Sequence, residues 1–265
     1  MEIVALESID LPELAPYRTL RGNLFDRDGS FVADSPRVVG LLLESGLKFK
    51  SLLCTPEYFD REKLRIEAAG VPKVYLGKRE LLERIVGHSI HHNVMAHLIR
   101  PENVPLKELP DRAVVLTRLN NLENVGAIAR SAAALGIRGY VVPEAGPHPY
   151  GRRAIRVSTG HVTKLKVHRY EAILPTLERL RELGYTLIAA EAVSGAKPLS
   201  RYTPPTGKWA LILGNEEEGV PSEVLEVCDA VVKIEMEPGV ASFNVAIAGA
   251  IVMHWLRYGA GKELG

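Results

Sequence analysis

Four stretches of the chain carry residue types that can do chemistry on a polar or charged substrate. After the apolar run "VVLTRL" comes "NNLENVGAIARSAAALG", where Asn124 and Gly126 open a helix and Arg130 follows six residues after Asn124. A helix turns by roughly 100° per residue, so Arg130 lies most of two turns down and well round from Asn124. The two face one crevice only if the asparagine uses its loop position. Otherwise Asn124 is a cap and Arg130 a surface charge. The run "WALILG" leads into "NEEEGVPSE", in which Gly214 and Gly219 bracket three glutamates. No Lys-Ser/Thr pair follows and the carboxylates repel phosphate, so this is not a nucleotide-phosphate cradle. It is either a turn with solvated acids or a site for a cationic or hydroxyl-bearing ligand, or for a basic partner such as an arginine.

The third stretch is "EMEPGVASFNVAIAGAIVMHWLRYG". From Val245 to Met253 every residue is apolar or glycine, the pattern of a helix buried on all sides. Ser242 is expected to cap that helix, after a tight turn at Gly239. Asn244 then needs a different partner, because an amide in apolar surroundings is costly unless it is hydrogen-bonded. A polar ligand or a second loop is the expected reason, a backbone partner the alternative. The fourth stretch, "PHPYGRRAIRVSTGHVTKLKVHRY", holds Arg152, Arg153, Arg156, Lys164, Lys166 and Arg169, the densest basic region of the chain. It reads either as a phosphate-backbone footprint or as solvated surface.

Other chemistries find less support. His88, His91, His92 and His97 cluster in "GHSIHHNVMAH", but no cysteine lies near and strand-like neighbours would point them to both faces, which argues against a metal site. There is no G-x-S-x-G elbow for a serine hydrolase, and "VVPEAGPHPYG" lacks the dinucleotide-binding spacing.

The elements that must position these residues follow from apolar patterning. With 265 residues the chain suffices for one large domain or two ordinary ones. It is 46% hydrophobic and 25% charged, and its 33 basic residues nearly balance 32 acidic ones. Any polyanion site must therefore come from local clustering. Cys54 and Cys228 are expected to be reduced thiols of a cytoplasmic protein. No charged-then-apolar leader opens the chain and no apolar run approaches the ~18 residues of a membrane span, so no membrane role is expected. Glutamine is absent, a weak thermophilic trait.

Up to about Ser30 the chain is poorly patterned. Ser35-Pro36 then caps a helix in "RVVGLLLESG", followed by strand, helix, strand, helix and strand in "KSLLCT", "YFDREKLRIEAAG", "KVYLG", "KRELLERIVG" and "NVMAHLI". The segment "RPENVPLKELPDR" reads as a linker. Beyond it the runs "AVVLTRL", "GYVVP", "KLKVHR", "TLIAAE", "WALILG" and "AVVKIEM" alternate with helical stretches. Continuous Val/Ile/Leu strands between helices indicate an α/β fold with a parallel sheet covered on both faces. Ligands of such sheets sit at the carboxyl ends of the strands, which ranks the loops after Leu119, Pro143, Ala190, Leu213 and Met236.

Taken in order, "NVGAIARSAAALG", "LILGNEEEGVPSEVL" and "IEMEPGVASFNVAIAGAIV" resemble the three motifs of the SpoU (TrmH) family of RNA ribose 2′-O-methyltransferases. "PYGRRAIRVSTG" is similar to that family's Arg- and Ser-bearing stretch between the first two motifs. The resemblance covers roughly Ala113 to Tyr258. More weakly, about Phe31 to Arg100 is similar to the ribosomal-protein-L30e-like domain of several ribosomal-RNA members, which implies domains at 1–100 and 113–265 joined by a linker at 101–112. The resemblance implies a deep trefoil knot, an S-adenosylmethionine pocket and a homodimer with its active sites at the interface. By position it implies Arg130 as the catalytic residue, supported by Asn124, Glu216, Ser242 and Asn244. Leu213, Gly214, Ile234, Met236 and Phe243 would hold the cofactor, and Arg152, Arg153 and Arg156 would contact RNA. Ribosomal RNA is expected ahead of transfer RNA, and a non-catalytic RNA-binding or ribosome-assembly protein is the rival. Phe243 stands where leucine is usual and Glu235 where proline is common, while no polar motif position is lost.

Overall fold

The computed structural model describes residues 1–18, 28–86, 93–215, 217–240 and 242–259. Its contacts divide the chain into two units, Met1–Pro101 with Tyr150–Thr163, and Glu102–Pro149 with Lys164–Gly265.

The first unit contains β1 (Glu2–Ala5), β2 (Ser30–Asp34), α1 (Pro36–Leu43), β3 (Phe49–Cys54), α2 (Pro56–Ala68), β4 (Lys73–Leu76), α3 (Arg79–Val86) and β5 (Val94–Ile99). Ser35 caps α1 as its type requires, its side chain accepting from Val38 N, with Pro36 at the first helical position. Thr55 and Pro56 repeat the device on α2. The sheet runs β1-β4-β3-β5-β2; β1, β4 and β3 are parallel, while β5 is antiparallel to both β3 and β2. The poorly patterned leader thus supplies a strand. Among the described residues β1 pairs only with β4 and stays largely exposed, so it needs no apolar alternation.

Tyr150–Thr163 returns to this unit, bringing the short helix Arg152–Val157. Arg152 Nη2 lies 2.7 Å from Asp34 Oδ2, and the Asp34 side chain is only 5% exposed. Arg152 is therefore committed to neutralising a buried carboxylate, while Arg153 and Arg156 face solvent. Tyr150 packs on Phe31 with ring centroids 5.3 Å apart. Of the histidine cluster, His97 is buried on β5 with Nε2 2.8 Å from Ser30 Oγ. His88, His91 and His92 lie outside the described residues. Burial, aided by the charge of Lys50, pushes the His97 imidazole down to about 4. Both cysteines are free thiols, and burial pushes each up to about 12.

The second unit contains β6 (Arg112–Leu116), α4 (Leu122–Ala134), β7 (Gly139–Pro143), β8 (Lys166–Tyr170), α5 (Ile173–Glu182), β9 (Thr186–Ala190), β10 (Lys197–Pro198), β11 (Trp209–Leu213), α6 (Ser222–Glu226), β12 (Ala230–Lys233) and α7 (Val245–Tyr258). Every pairing in the sheet β10-β12-β9-β11-β6-β7-β8 is parallel, in keeping with the apolar runs of its central strands. Only the two-residue β10 had no apolar run to announce it. The proline-rich stretch is tied down in several places. Val104 N donates to Val167 O, and the Tyr185 hydroxyl reaches the carbonyls of Leu109 and Pro110 at 2.9 Å each. Among the described residues no helix is long and apolar enough to cross a membrane.

The helix expected to be buried on all sides is not. α7 packs on α4 and buries Ala246, Gly249, Val252, Met253 and Leu256, but Ile247 is 53% and Ile251 37% exposed. The two isoleucines are four apart and share the far face of the helix.

Two outcomes are expected for the first unit. Arg152→Ala leaves Asp34 buried without its cation and should cost about 3 kcal/mol in urea unfolding, whereas Arg156→Ala should change stability by less than about 0.5 kcal/mol. His97 titrates lower folded than unfolded, so below about pH 6.5 only the unfolded chain takes up its proton. Stability should fall as pH drops from there to about 4, by at most about 3 kcal/mol, and His97→Gln should remove that part of the pH dependence.

Candidate functional site

β12, β9 and β11 are neighbours in the parallel sheet, and the chain leaving their carboxyl ends walls a cleft of ≈ 420 Å³. The end of β9 and the residue after it contribute Ala190 and Glu191, the chain after β11 contributes Gly214, Asn215 and Glu217 to Gly219, and the chain after β12 contributes Ile234, Met236 and Ser242 to Val245. This is the crevice position that parallel sheets reserve for ligands.

The loop after β11 is drawn in tightly from within. Asn215 Oδ1 accepts from Glu217 N at 2.9 Å and Glu218 N at 2.5 Å, and Asn215 N donates to Gly219 O at 3.2 Å. A side chain at Gly214 would put its Cβ 2.1 Å from the Gly219 carbonyl carbon and 2.3 Å from Val220 N, so only glycine lets the loop close there. Glu191 receives the far end of the loop: its Oε2 accepts from Val220 N at 2.7 Å and its Oε1 from Ala192 N at 3.0 Å. Glu217 and Glu218 are exposed on the rim, while Glu216 lies outside the described residues.

The chain after β12 corrects the assignment of the cap. α7 begins at Val245, so the capping position falls on Asn244, and Ser242 lies two residues too early. Asn244 Oδ1 accepts from Ala246 N at 2.9 Å and Ile247 N at 3.4 Å. Its Nδ2 donates to Asn124 Oδ1 at 3.1 Å. Asn244 thus has the backbone partners that were the alternative, and its second partner is a side chain in the first turn of α4 rather than a loop. Asn124 is 7% exposed, and Asn121 caps α4 by accepting from Glu123 N. The buried Tyr140 hydroxyl anchors that turn, donating to Val125 O at 2.7 Å, and Thr117 N donates to Leu213 O at 2.9 Å.

Of the sequence-derived candidates, Gly214, Ile234, Met236, Ser242, Phe243 and Asn244 line the cleft, and Asn124 is bonded to its rim. Leu213 is buried beneath α7, where a Cβ on Gly249 would come within 2.8 Å of its Cδ1. Arg130 is exposed on α4 and does not line this chain's cleft. Arg152, Arg153 and Arg156 belong to the first unit. Sequence reasoning missed Glu191 and Asn215. The signal for Glu191 was an acid directly after an apolar parallel strand, in a loop that the sheet rule had already ranked.

The model of the SpoU rRNA methylase family matches residues 111–254, more than half of the chain. An uncharacterised tRNA/rRNA methyltransferase of Mycobacterium bovis is 28% identical over 255 residues, covering 92% of this chain and 88% of that protein. Among solved structures, an AdoMet-bound rRNA methyltransferase from Sinorhizobium meliloti superposes with a TM-score of 0.84 at 21% identity, covering 97% of this chain and 98% of that one. The SpoU methyltransferase AviRb from Streptomyces viridochromogenes, in complex with AdoMet, gives a TM-score of 0.79 at 24% identity, covering 95% of this chain and 99% of that one. These two likenesses show a shared fold over both units.

Gly214→Ala is expected to leave the sheet intact but to force the loop apart. Ligand affinity in the cleft should fall by about 100-fold, while the unfolding midpoint shifts by the equivalent of about 1–3 kcal/mol. Calorimetry and thermal unfolding of the same sample check both.

Proposed function

This chain belongs to the SpoU rRNA methylase family, and from that premise we propose that it methylates a ribose 2′-hydroxyl of RNA using S-adenosylmethionine. Ribosomal RNA is the substrate we assign ahead of transfer RNA. The observation that carries the reading is the Asn244–Asn124 hydrogen bond. It ties the chain resembling the third motif to the helix resembling the first, at the rim of a cleft whose wall resembles the second.

The residues present suit the cofactor. The cleft volume lies within the roughly 300–1,000 Å³ typical of small-molecule sites. Ile234, Met236 and Phe243 offer an apolar wall, and the carboxylates of Glu191, Glu217 and Glu218 suit a cationic ligand. When bound, S-adenosylmethionine supplies a methyl group already activated on a sulfonium. The remaining work is alignment of the 2′-oxygen and removal of its proton. Ser242 and Asn244 orient the ligands at the mouth. A guanidinium stays protonated in proteins. We therefore assign Arg130 to clamp the target phosphate and stabilise negative charge at the ribose oxygen rather than to act as the base.

Two features support a homodimer with sites at the interface. Arg130 stands outside the cleft of its own chain, and Ile247 and Ile251 form an exposed apolar stripe on α7. The family's trefoil knot and the L30e-like character of the first unit belong to the same proposal, with Arg153 and Arg156 as RNA contacts.

Methyl transfer from labelled S-adenosylmethionine to unmodified ribosomal and transfer RNA tests the reading. Label should enter ribosomal RNA and make one ribose resistant to alkaline cleavage. Arg130→Ala should lower kcat by about 100-fold or more with cofactor affinity unchanged. Label in transfer RNA alone would reassign the substrate, and cofactor binding without any transfer to RNA or its assembly intermediates would favour a non-catalytic RNA-binding protein.

A further inference from the structure

We propose that Glu191 is a positioning residue that latches Gly219 and Val220, beyond β11, onto the end of β9 and so sets the shape of the cleft. The identity of the ligand rests on the cofactor reading above; the latch itself rests on geometry. Glu191 follows the last residue of β9, and its own N–H donates to Val232 O at 2.9 Å, so sheet pairing fixes its backbone. From that fixed point the side chain spans to the loop. One carboxylate oxygen takes Val220 N at 2.7 Å and the other takes Ala192 N at 3.0 Å. A carboxylate accepting from backbone N–H groups makes charge-assisted bonds, stronger than neutral ones. Val220 is only 4% exposed, which leaves its N–H little access to water if the carboxylate is removed.

Gly219 completes the latch. Its φ is +71°, and a Cβ there would lie 2.4 Å from Glu191 Oε2 and 3.0 Å from Cδ. The backbone of the loop therefore rests directly on the carboxylate, and a methyl group at position 219 would push it away. Glu191 and Gly219 both line the cleft, so any shift between them moves its wall. The side-chain chemistry also ranks the substitutions. Glutamine keeps one acceptor but turns an NH₂ group toward one of the two N–H donors, and alanine removes both acceptors.

The test uses the full chain with Glu191→Ala, Glu191→Gln, Gly219→Ala and the Glu191→Ala/Gly219→Ala double variant, each checked for folding by thermal unfolding. Calorimetry with S-adenosylmethionine should show affinity lowered about 10-fold or more by Glu191→Ala and less by Glu191→Gln. Gly219→Ala should weaken binding in both backgrounds, because its φ of +71° strains alanine even without the carboxylate, but by at least about threefold less once the carboxylate is gone. A residue supporting the fold in general would not produce that coupling. Hydrogen exchange of the Val220 amide gives a readout independent of any ligand, and Glu191→Ala should speed it about 10-fold or more. Unchanged Val220 exchange in Glu191→Ala, or fully multiplicative effects of the two substitutions, would overturn the latch. If wild type itself does not bind S-adenosylmethionine, the cofactor reading falls and Val220 exchange alone decides the latch.

Discussion

Strand β11 runs through the interior of a seven-stranded parallel sheet, with β9 on one side and β6 on the other. All five of its residues are buried, so the chain that leaves its carboxyl end emerges between two neighbouring strands already in place. It has to turn within a few residues, and every backbone polar group in the turn still needs a partner. Much of the local chemistry follows from that crowding. Gly214 is glycine because Val220 passes where a side chain would be, and Asn215 folds its amide inward to hold two N–H groups of the loop. Glu191, just past the end of neighbouring β9, supplies the acceptor for Val220 N.

The same economy appears at the other wall. Asn244 has one carboxamide and uses both ends of it. The oxygen starts α7 by accepting two backbone N–H groups, and the nitrogen crosses to Asn124 on α4. A serine at this position can cap a helix, but its single hydroxyl has only one hydrogen to donate and little reach toward α4. Ser242 is out of the running for a different reason, since it lies two residues before the capping position.

How much of this was legible beforehand depended on the range of the interaction. The central strands β6, β7, β9 and β11 were legible because a strand buried on both faces must be apolar throughout, a demand written into consecutive residues. The Ser35-Pro36 cap was legible for the same reason, since its hydrogen bond spans three positions. β1 was not, because an exposed edge strand imposes no apolar pattern. Arg152 looked like part of a basic surface, and what holds it is Asp34, 118 residues away. Glu191 was one acid among 32 acidic residues until its loop partner, 29 residues on, was in view. The exposed isoleucines of α7 reversed an expectation, since composition reports that a face is apolar and says nothing of what covers it.

The return of Tyr150–Thr163 to the first unit bears on whether that unit can stand by itself. The backbone crosses between the units at Pro101–Glu102, again at Pro149–Tyr150 and a third time at Thr163–Lys164. A single genetic cut at the first crossing would strand the helix that neutralises Asp34 on the wrong fragment and leave that carboxylate buried alone. Without residues 150–163 the first unit would lose Arg152 and Tyr150 together, the cation on Asp34 and the ring packed on Phe31. Three crossings thus make the first unit's core charge balance depend on a segment that lies some fifty residues beyond its main stretch.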